Sequence, residues 1–122
     1  MILLVGGFGA GKRAFAERCL GVGPACIADA RDLEGPCAGV RVAVRAQELV
    51  RDRAPEEALR LLLDSRLDVV AIDEVGCGVV PVDDAERAWR ERAGRLACLL
   101  AGHADTVVRL VCGLPQVIKG EL

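Results

Sequence analysis

Aromatic side chains are almost missing from this sequence, which holds one Trp, two Phe and no Tyr. A surface that stacks the bases of single-stranded nucleic acid needs several exposed rings, so that function class is excluded. A surplus of one charge is missing too. Sixteen basic residues face 18 acidic ones, for a net charge of −2, and a protein that coats polyanions needs a basic excess. No apolar run approaches the ~18 residues that announce a transmembrane helix. The start of the chain, Met1-Ile2-Leu3-Leu4-Val5-Gly6-Gly7, lacks the basic and long apolar segments of a secretory leader, which predicts a cytoplasmic protein. Six cysteines are present, but no two have CxxC spacing, and the one histidine, His103, stands apart from most of them. A zinc site is not expected from that pattern. In a reducing compartment the cysteines are expected to act as small buried hydrophobes.

Apolar residues, by contrast, are plentiful: 52% of the 122 residues, with a mean hydropathy of +0.34. That is enough for a packed core and excludes disorder. At roughly 150 residues per domain, the length predicts one domain over residues 1–122. Short apolar runs at 1–5 and 67–72 read as buried strands, because each is too short for a helix. Weaker strand patterns cover 24–28, 40–45 and 106–112, the last stopped by Gly113 and Pro115. Residues 12–20 suit a short helix closed by Gly21. Pro55-Glu56-Glu57 opens a second helix, since proline fits the first turn and acids favour the positive end of the helix dipole. Residues 83–101 form the strongest helical pattern, with Ala85, Ala88, Trp89, Ala93, Leu96, Ala97 and Leu100 on one face. Buried strands that alternate with helices predict an α/β fold with a mainly parallel sheet and flanking helices. In such sheets ligands bind at the carboxyl ends of the strands, where the loops 6–12 and 74–81 should lie.

The loop Gly6-Gly7-Phe8-Gly9-Ala10-Gly11-Lys12 has the form GxxxxGK, between a strand and a helix. Glycines let backbone N–H groups turn inward around phosphate oxygens, the helix start adds its dipole, and the lysine reaches the outer phosphates. Lys12 is one of only two lysines in the chain. The pattern predicts a phosphate-binding (P-loop NTPase-like) fold in which Gly6, Gly7, Phe8, Gly9, Ala10, Gly11, Lys12 and Arg13 hold GTP or ATP. The residue after the lysine normally supplies a hydroxyl to magnesium. Here it is Arg13, which has no metal-ligating oxygen. The run Val69-Val70-Ala71-Ile72 ends in Asp73-Glu74, the pattern of a strand that delivers one carboxylate, Asp73, to Mg2+ and a second, Glu74, as an acid–base group. The bland alternative is a buried strand that ends in acids. His103 reads as a solvent-facing turn residue rather than a nucleophile. Arg87, Arg90, Arg92 and Arg95 form one basic helix side, either a solvated face or one that reaches bound phosphates.

Three further strings carry a resemblance. They are Glu74-Val75-Gly76-Cys77-Gly78-Val79-Val80-Pro81, then Arg92-Ala93-Gly94-Arg95-Leu96, and Cys112-Gly113-Leu114-Pro115-Gln116-Val117-Ile118-Lys119. Together with the loop Gly6–Arg13 and the following Ala16-Glu17, they resemble the bifunctional adenosylcobinamide kinase/adenosylcobinamide-phosphate guanylyltransferase family of cobalamin synthesis. The resemblance covers residues 1–30 and 67–120. It implies phosphorylation of adenosylcobinamide from ATP or GTP, GMP transfer from GTP, and a homo-oligomer. Family members are longer. They carry an Asp-Cys-Leu-Thr type motif whose acid serves the metal site, and a histidine that becomes guanylylated. Neither has a counterpart here, and residues 29–66 contain no histidine. The chain resembles a shortened member. It keeps the nucleotide loop and lacks both the metal hydroxyl and the guanylylation residue. Three readings follow: a nucleotide-dependent kinase of cobalamin biosynthesis without the guanylyl step; a non-catalytic nucleotide-binding remnant, which Arg13 favours; or a small-molecule kinase of different specificity on the same loop.

Overall fold

The computed structural model describes residues 1–75 and 83–122. The expected loop Gly76–Pro81, with Cys77, lies outside them. Among the described residues the sheet has six strands, β1 (Ile2–Gly6), β2 (Ile27–Asp29), β3 (Val42–Val44), β4 (Val69–Asp73), β5 (Thr106–Val111) and β6 (Leu114–Lys119), in the order β2-β3-β4-β1-β5-β6. All neighbours run parallel except β5 and β6. The expected mainly parallel α/β fold is therefore what the chain adopts. Among the described residues three helices flank the sheet: α1 (Lys12–Leu20), α2 (Pro55–Asp64) and α3 (Asp84–His103).

Alternation along the strands sorts the core into two layers. Leu3, Val70, Ile72 and Val107 point to one face and pack with Trp89, Ala93, Leu96 and Leu100 of α3, Leu62 of α2, and Leu49 and Val50. Leu4, Val69, Ala71 and Val108 point to the other face and pack with Ala16 of α1 and Val42. The helix ends follow from local chemistry. Gly21 takes the left-handed conformation that closes α1 (φ 62°). Pro55 starts α2. The Asp83 carboxylate accepts the Ala85 N–H at 2.8 Å and caps α3.

Several expectations need correction. The strand expected over 24–28 is a 3-10 turn at Pro24–Cys26 followed by the three residues of β2. Pro24 has no N–H to give a ladder and fits the first turn of a helix. The stop expected at Gly113 and Pro115 is instead a hairpin turn, with Cys112 and Gly113 both left-handed (φ 52° and 76°). Pro115 sits opposite Leu110 on the sheet's edge strand, the place where a missing N–H is tolerated. The cysteines among the described residues are not buried. Cys19, Cys37, Cys98 and Cys112 are exposed and Cys26 is half-buried, because Cys19 and Cys98 fall on the outer faces of their helices and Cys112 on the hairpin tip. On α3, Ala85 is exposed and Ala88 and Ala97 are half-buried, so the buried stripe narrows to Trp89, Ala93, Leu96 and Leu100. No helix among the described residues is long and apolar enough to cross a membrane.

Candidate functional site

Strand β1 delivers the glycine loop to the carboxyl end of the sheet, between β4 and β5. Gly6 sits at the register position that pairs with Asp73 on one side and Leu110 on the other. A Cβ on Gly6 would lie 2.8 Å from the Leu110 carbonyl oxygen and 3.1 Å from the Ala10 Cβ. Only glycine lets the loop pass that close to β5. Beyond it, Gly9 (φ 74°) and Gly11 (φ 92°) are both left-handed. Gly11 precedes the first residue of α1, so the loop feeds directly into a helix start. The Gly113 N–H donates to the Ala10 carbonyl at 2.9 Å, which fastens the loop to the β5–β6 turn.

Lys12 folds back over this loop. Its Nζ donates to the carbonyls of Gly6 (3.0 Å) and Gly7 (2.8 Å) and pairs with Asp73 Oδ1 at 2.8 Å, with the side chain 9% exposed. All three ammonium protons thus have acceptors. Asp73 shares the strand parity of Val69 and Ala71, the α1 side of the sheet, so its carboxylate faces Lys12. Its other oxygen accepts from Gln47 Nε2 at 3.2 Å, while Gln47 Oε1 accepts the Asp73 N–H at 3.0 Å. Gln47 is 3% exposed, and its own carbonyl accepts the Trp89 indole N–H at 2.9 Å. One buried amide therefore fixes the carboxylate that holds the lysine. Sequence reading missed Gln47, since the 3-10 turn Ala46–Arg51 that carries it lies in a stretch without a motif. Its signal was a lone amide in an otherwise apolar and charged run.

Glu74 has the opposite parity and goes elsewhere. Its carboxylate accepts Arg109 Nε at 2.7 Å and Nη2 at 3.2 Å, a fork on β5 that the sequence did not mark. Its N–H donates to the Gly6 carbonyl at 2.9 Å. The two adjacent acids thus take different partners, Asp73 in the cleft and Glu74 on the β5 side.

Around Lys12 opens a cleft of about 680 Å³, within the range of small-molecule sites, lined by the loop residues Phe8–Lys12, Arg13, Glu17, Val44, Arg45, Gln47, Glu48 and Asp73 among others. Phe8 stands at its rim, 96% exposed. Arg13 is exposed and pairs with Glu17 one turn along α1, at 3.7 Å. Magnesium bound with a nucleotide asks for one or two carboxylates beside phosphate oxygens and water. Asp73 fits that need as a single protein carboxylate. The hydroxyl ligand has no counterpart at Arg13, and no cluster of three His, Cys, Asp or Glu side chains occurs among the described residues.

The remaining candidates lie away from the cleft. His103 is exposed at the last position of α3, leading into the amino end of β5, and the glycine loop sits at the carboxyl ends of the strands. Arg92 Nε donates to the Val50 carbonyl at 2.8 Å and Arg95 Nε to Glu56 at 2.9 Å, so these two tie α3 to its neighbours.

A family model described as cobinamide kinase/cobinamide phosphate guanyltransferase matches residues 40–118. The bifunctional adenosylcobalamin biosynthesis protein of Pseudomonas aeruginosa is 36% identical over 53 residues, which are 43% of this chain and 31% of that protein. The match thus spans about a third of the curated relative's length. The glycine loop precedes the span that the family model matches and is described by its own geometry. With more than half of its residues matched, the chain belongs to the cobinamide kinase/cobinamide phosphate guanyltransferase family.

Proposed function

We propose that this protein binds GTP or ATP through Gly6–Arg13 and serves cobalamin biosynthesis as an adenosylcobinamide kinase-like protein, without the guanylyl-transfer step. The observation that carries the reading is Lys12. It is a buried cation at the mouth of a glycine loop, held at 2.8 Å by Asp73 from the neighbouring strand. In this reading the backbone N–H groups of the loop and the start of α1 take the phosphate oxygens. Lys12 neutralises charge on the outer phosphates as it builds up during transfer. Asp73, fixed by Gln47, is the carboxylate that would face a magnesium ion, which supplies charge neutralisation when bound. The acceptor would be the hydroxyl of adenosylcobinamide, by likeness to the family's described substrates.

Guanylyl transfer needs a nucleophile in line with the α-phosphate. The chain's histidine, His103, ends α3 at the opposite end of the sheet, and the segment 29–66 has no imidazole. A second reading, a nucleotide-binding protein without catalysis, draws on Arg13, which pairs with Glu17 where a metal-ligating hydroxyl is expected.

Thermal stabilisation by GTP and ATP, with magnesium and with EDTA, tests the proposal. Wild type should be stabilised by nucleotide, and Lys12→Ala should lose most of that stabilisation. Equal shifts in both proteins would overturn the phosphate-loop reading. Arg13→Ser should make affinity more dependent on magnesium. Formation of adenosylcobinamide phosphate by wild type separates the kinase from the non-catalytic reading. A GMP adduct on intact-mass analysis after incubation with GTP would refute the absence of guanylyl transfer.

A further inference from the structure

Among the described residues, three other than glycine hold left-handed backbone: Arg45 (φ 61°), Arg66 (φ 55°) and Cys112 (φ 52°). Two have routine reasons. Arg66 follows the last turn of α2, its N–H donating to the Leu63 carbonyl at 3.3 Å, a place where helices often end left-handed. Cys112 shares a hairpin turn with the left-handed Gly113, as tight hairpins require. Arg45 has neither. It leaves the carboxyl end of β3 and opens the turn that carries Gln47. An L side chain resists this conformation and glycine or asparagine accepts it readily. An outlier of this kind, sitting on a functional cleft, points to a role for the side chain.

That side chain lines the same cleft as Lys12. It is 58% exposed, and it is held on one side by two carboxylates. Arg45 Nη1 donates to Asp29 Oδ2 at 2.8 Å, and Nη2 lies 3.7 Å from Glu48 Oε1. Both carboxylates are anchored in turn, Asp29 by the Arg31 N–H at 3.0 Å and Glu48 by Arg51 Nε at 3.0 Å. A guanidinium has five N–H donors in a planar fork. Among the described residues the Arg45 side chain makes one hydrogen bond, so the fork is oriented without being saturated. Planar donors of this kind suit phosphate, which they grip with two parallel bonds.

We infer that Arg45 is a second anion-holding group of the cleft and grips a phosphate group of the bound ligand. The inference rests on the phosphate-loop reading of Gly6–Arg13. The phosphate has two possible sources, the phosphate chain of the nucleoside triphosphate or the phosphate of a phosphorylated acceptor, and their shared chemistry is what the fork recognises.

Calorimetric titration with GTP, inorganic pyrophosphate and cobinamide phosphate tests it on wild type, Lys12→Ala, Arg45→Gly and Arg45→Asn. Glycine and asparagine both fit the left-handed backbone, so melting temperatures should stay level or rise while binding falls. The expected loss is at least about tenfold, the scale of one charged hydrogen-bonding pair. A loss for GTP and pyrophosphate alone assigns the fork to the nucleotide, and a loss for cobinamide phosphate alone assigns it to the acceptor. Wild-type affinity of both Arg45 variants for all three ligands would overturn the inference. In that case a weakened Lys12→Ala leaves the phosphate-loop reading standing. If wild type binds none of the three, both readings fall together.

Discussion

Asp73 and Glu74 are neighbours in the chain and belong to two different regions of the molecule. Asp73 faces the α1 side, where Lys12 and Gln47 hold it in a half-buried cleft. Glu74 faces the β5 side, where the exposed Arg109 grips it with two hydrogen bonds. The residue types are alike, and the sequence pattern alone treated them as a working pair. What separates them is the two-residue period of a strand, which sends consecutive side chains to opposite faces. The lesson is that an acidic pair at a strand end is one candidate for the cleft and one for the seam. Parity with the preceding buried residues, here Val69 and Ala71, tells which is which.

The largest break of this comparison is Asp73→Ala. It strips the partner from Lys12, whose ammonium keeps only two carbonyl acceptors. Unpairing a buried charge is strongly destabilising, and with Asp73 one-fifth exposed the cost should be about 2 kcal/mol in chemical denaturation. Nucleotide binding should change as well, because the carboxylate no longer competes for the lysine. An unaltered denaturation midpoint would show that the pair is not a stabilising contact.

Gly6→Ala comes next and probes the seam between the two regions. The new methyl would meet the Leu110 carbonyl oxygen at 2.8 Å, a backbone atom held in the β1–β5 ladder. Overpacking of this kind costs about 1–3 kcal/mol, read as a lower melting temperature. Gly7→Ala is the control, since open space surrounds its Cβ position. If the two variants melt alike, the close approach of loop and β5 is not what requires glycine at position 6.

How much of this was legible beforehand depended on whether a residue's role was local. Strand β1, the glycine loop and helix α1 were readable to the residue at Lys12 and Gly21, because glycines bracket them and their conformations are set within a few bonds. The Lys12–Asp73 approach was legible only as two motifs, since the pairing needs β4 placed beside β1. Gln47 and Arg109 were not legible. Each acts through a partner 26 and 35 positions away, and nothing near either residue signals that distance. Strand β6 was hidden by Gly113 and Pro115, which stop a central strand but permit a hairpin and an edge. The exposed cysteines were misjudged because a residue type's average burial says nothing about which helix face it occupies.

Glu74→Gln should have the smallest effect and sharpens the comparison most. The amide keeps one acceptor oxygen for Arg109 and removes the charge. Arg109 is 45% exposed and Glu74 20%, so water and salt screen the pair, and the loss should be about 0.5 kcal/mol or less. That difference should shrink further in high salt, as a screened ion pair requires. Nucleotide affinity should stay at the wild-type level, because Glu74 faces Arg109 and is not among the residues that line the cleft. Denaturation at two salt concentrations and one nucleotide titration therefore read the two properties separately. A large fall in nucleotide affinity or in adenosylcobinamide phosphorylation with stability unchanged would mean that Glu74 reaches the ligand. The parity argument would then fail at the last residue of the strand, where the ladder no longer holds the chain.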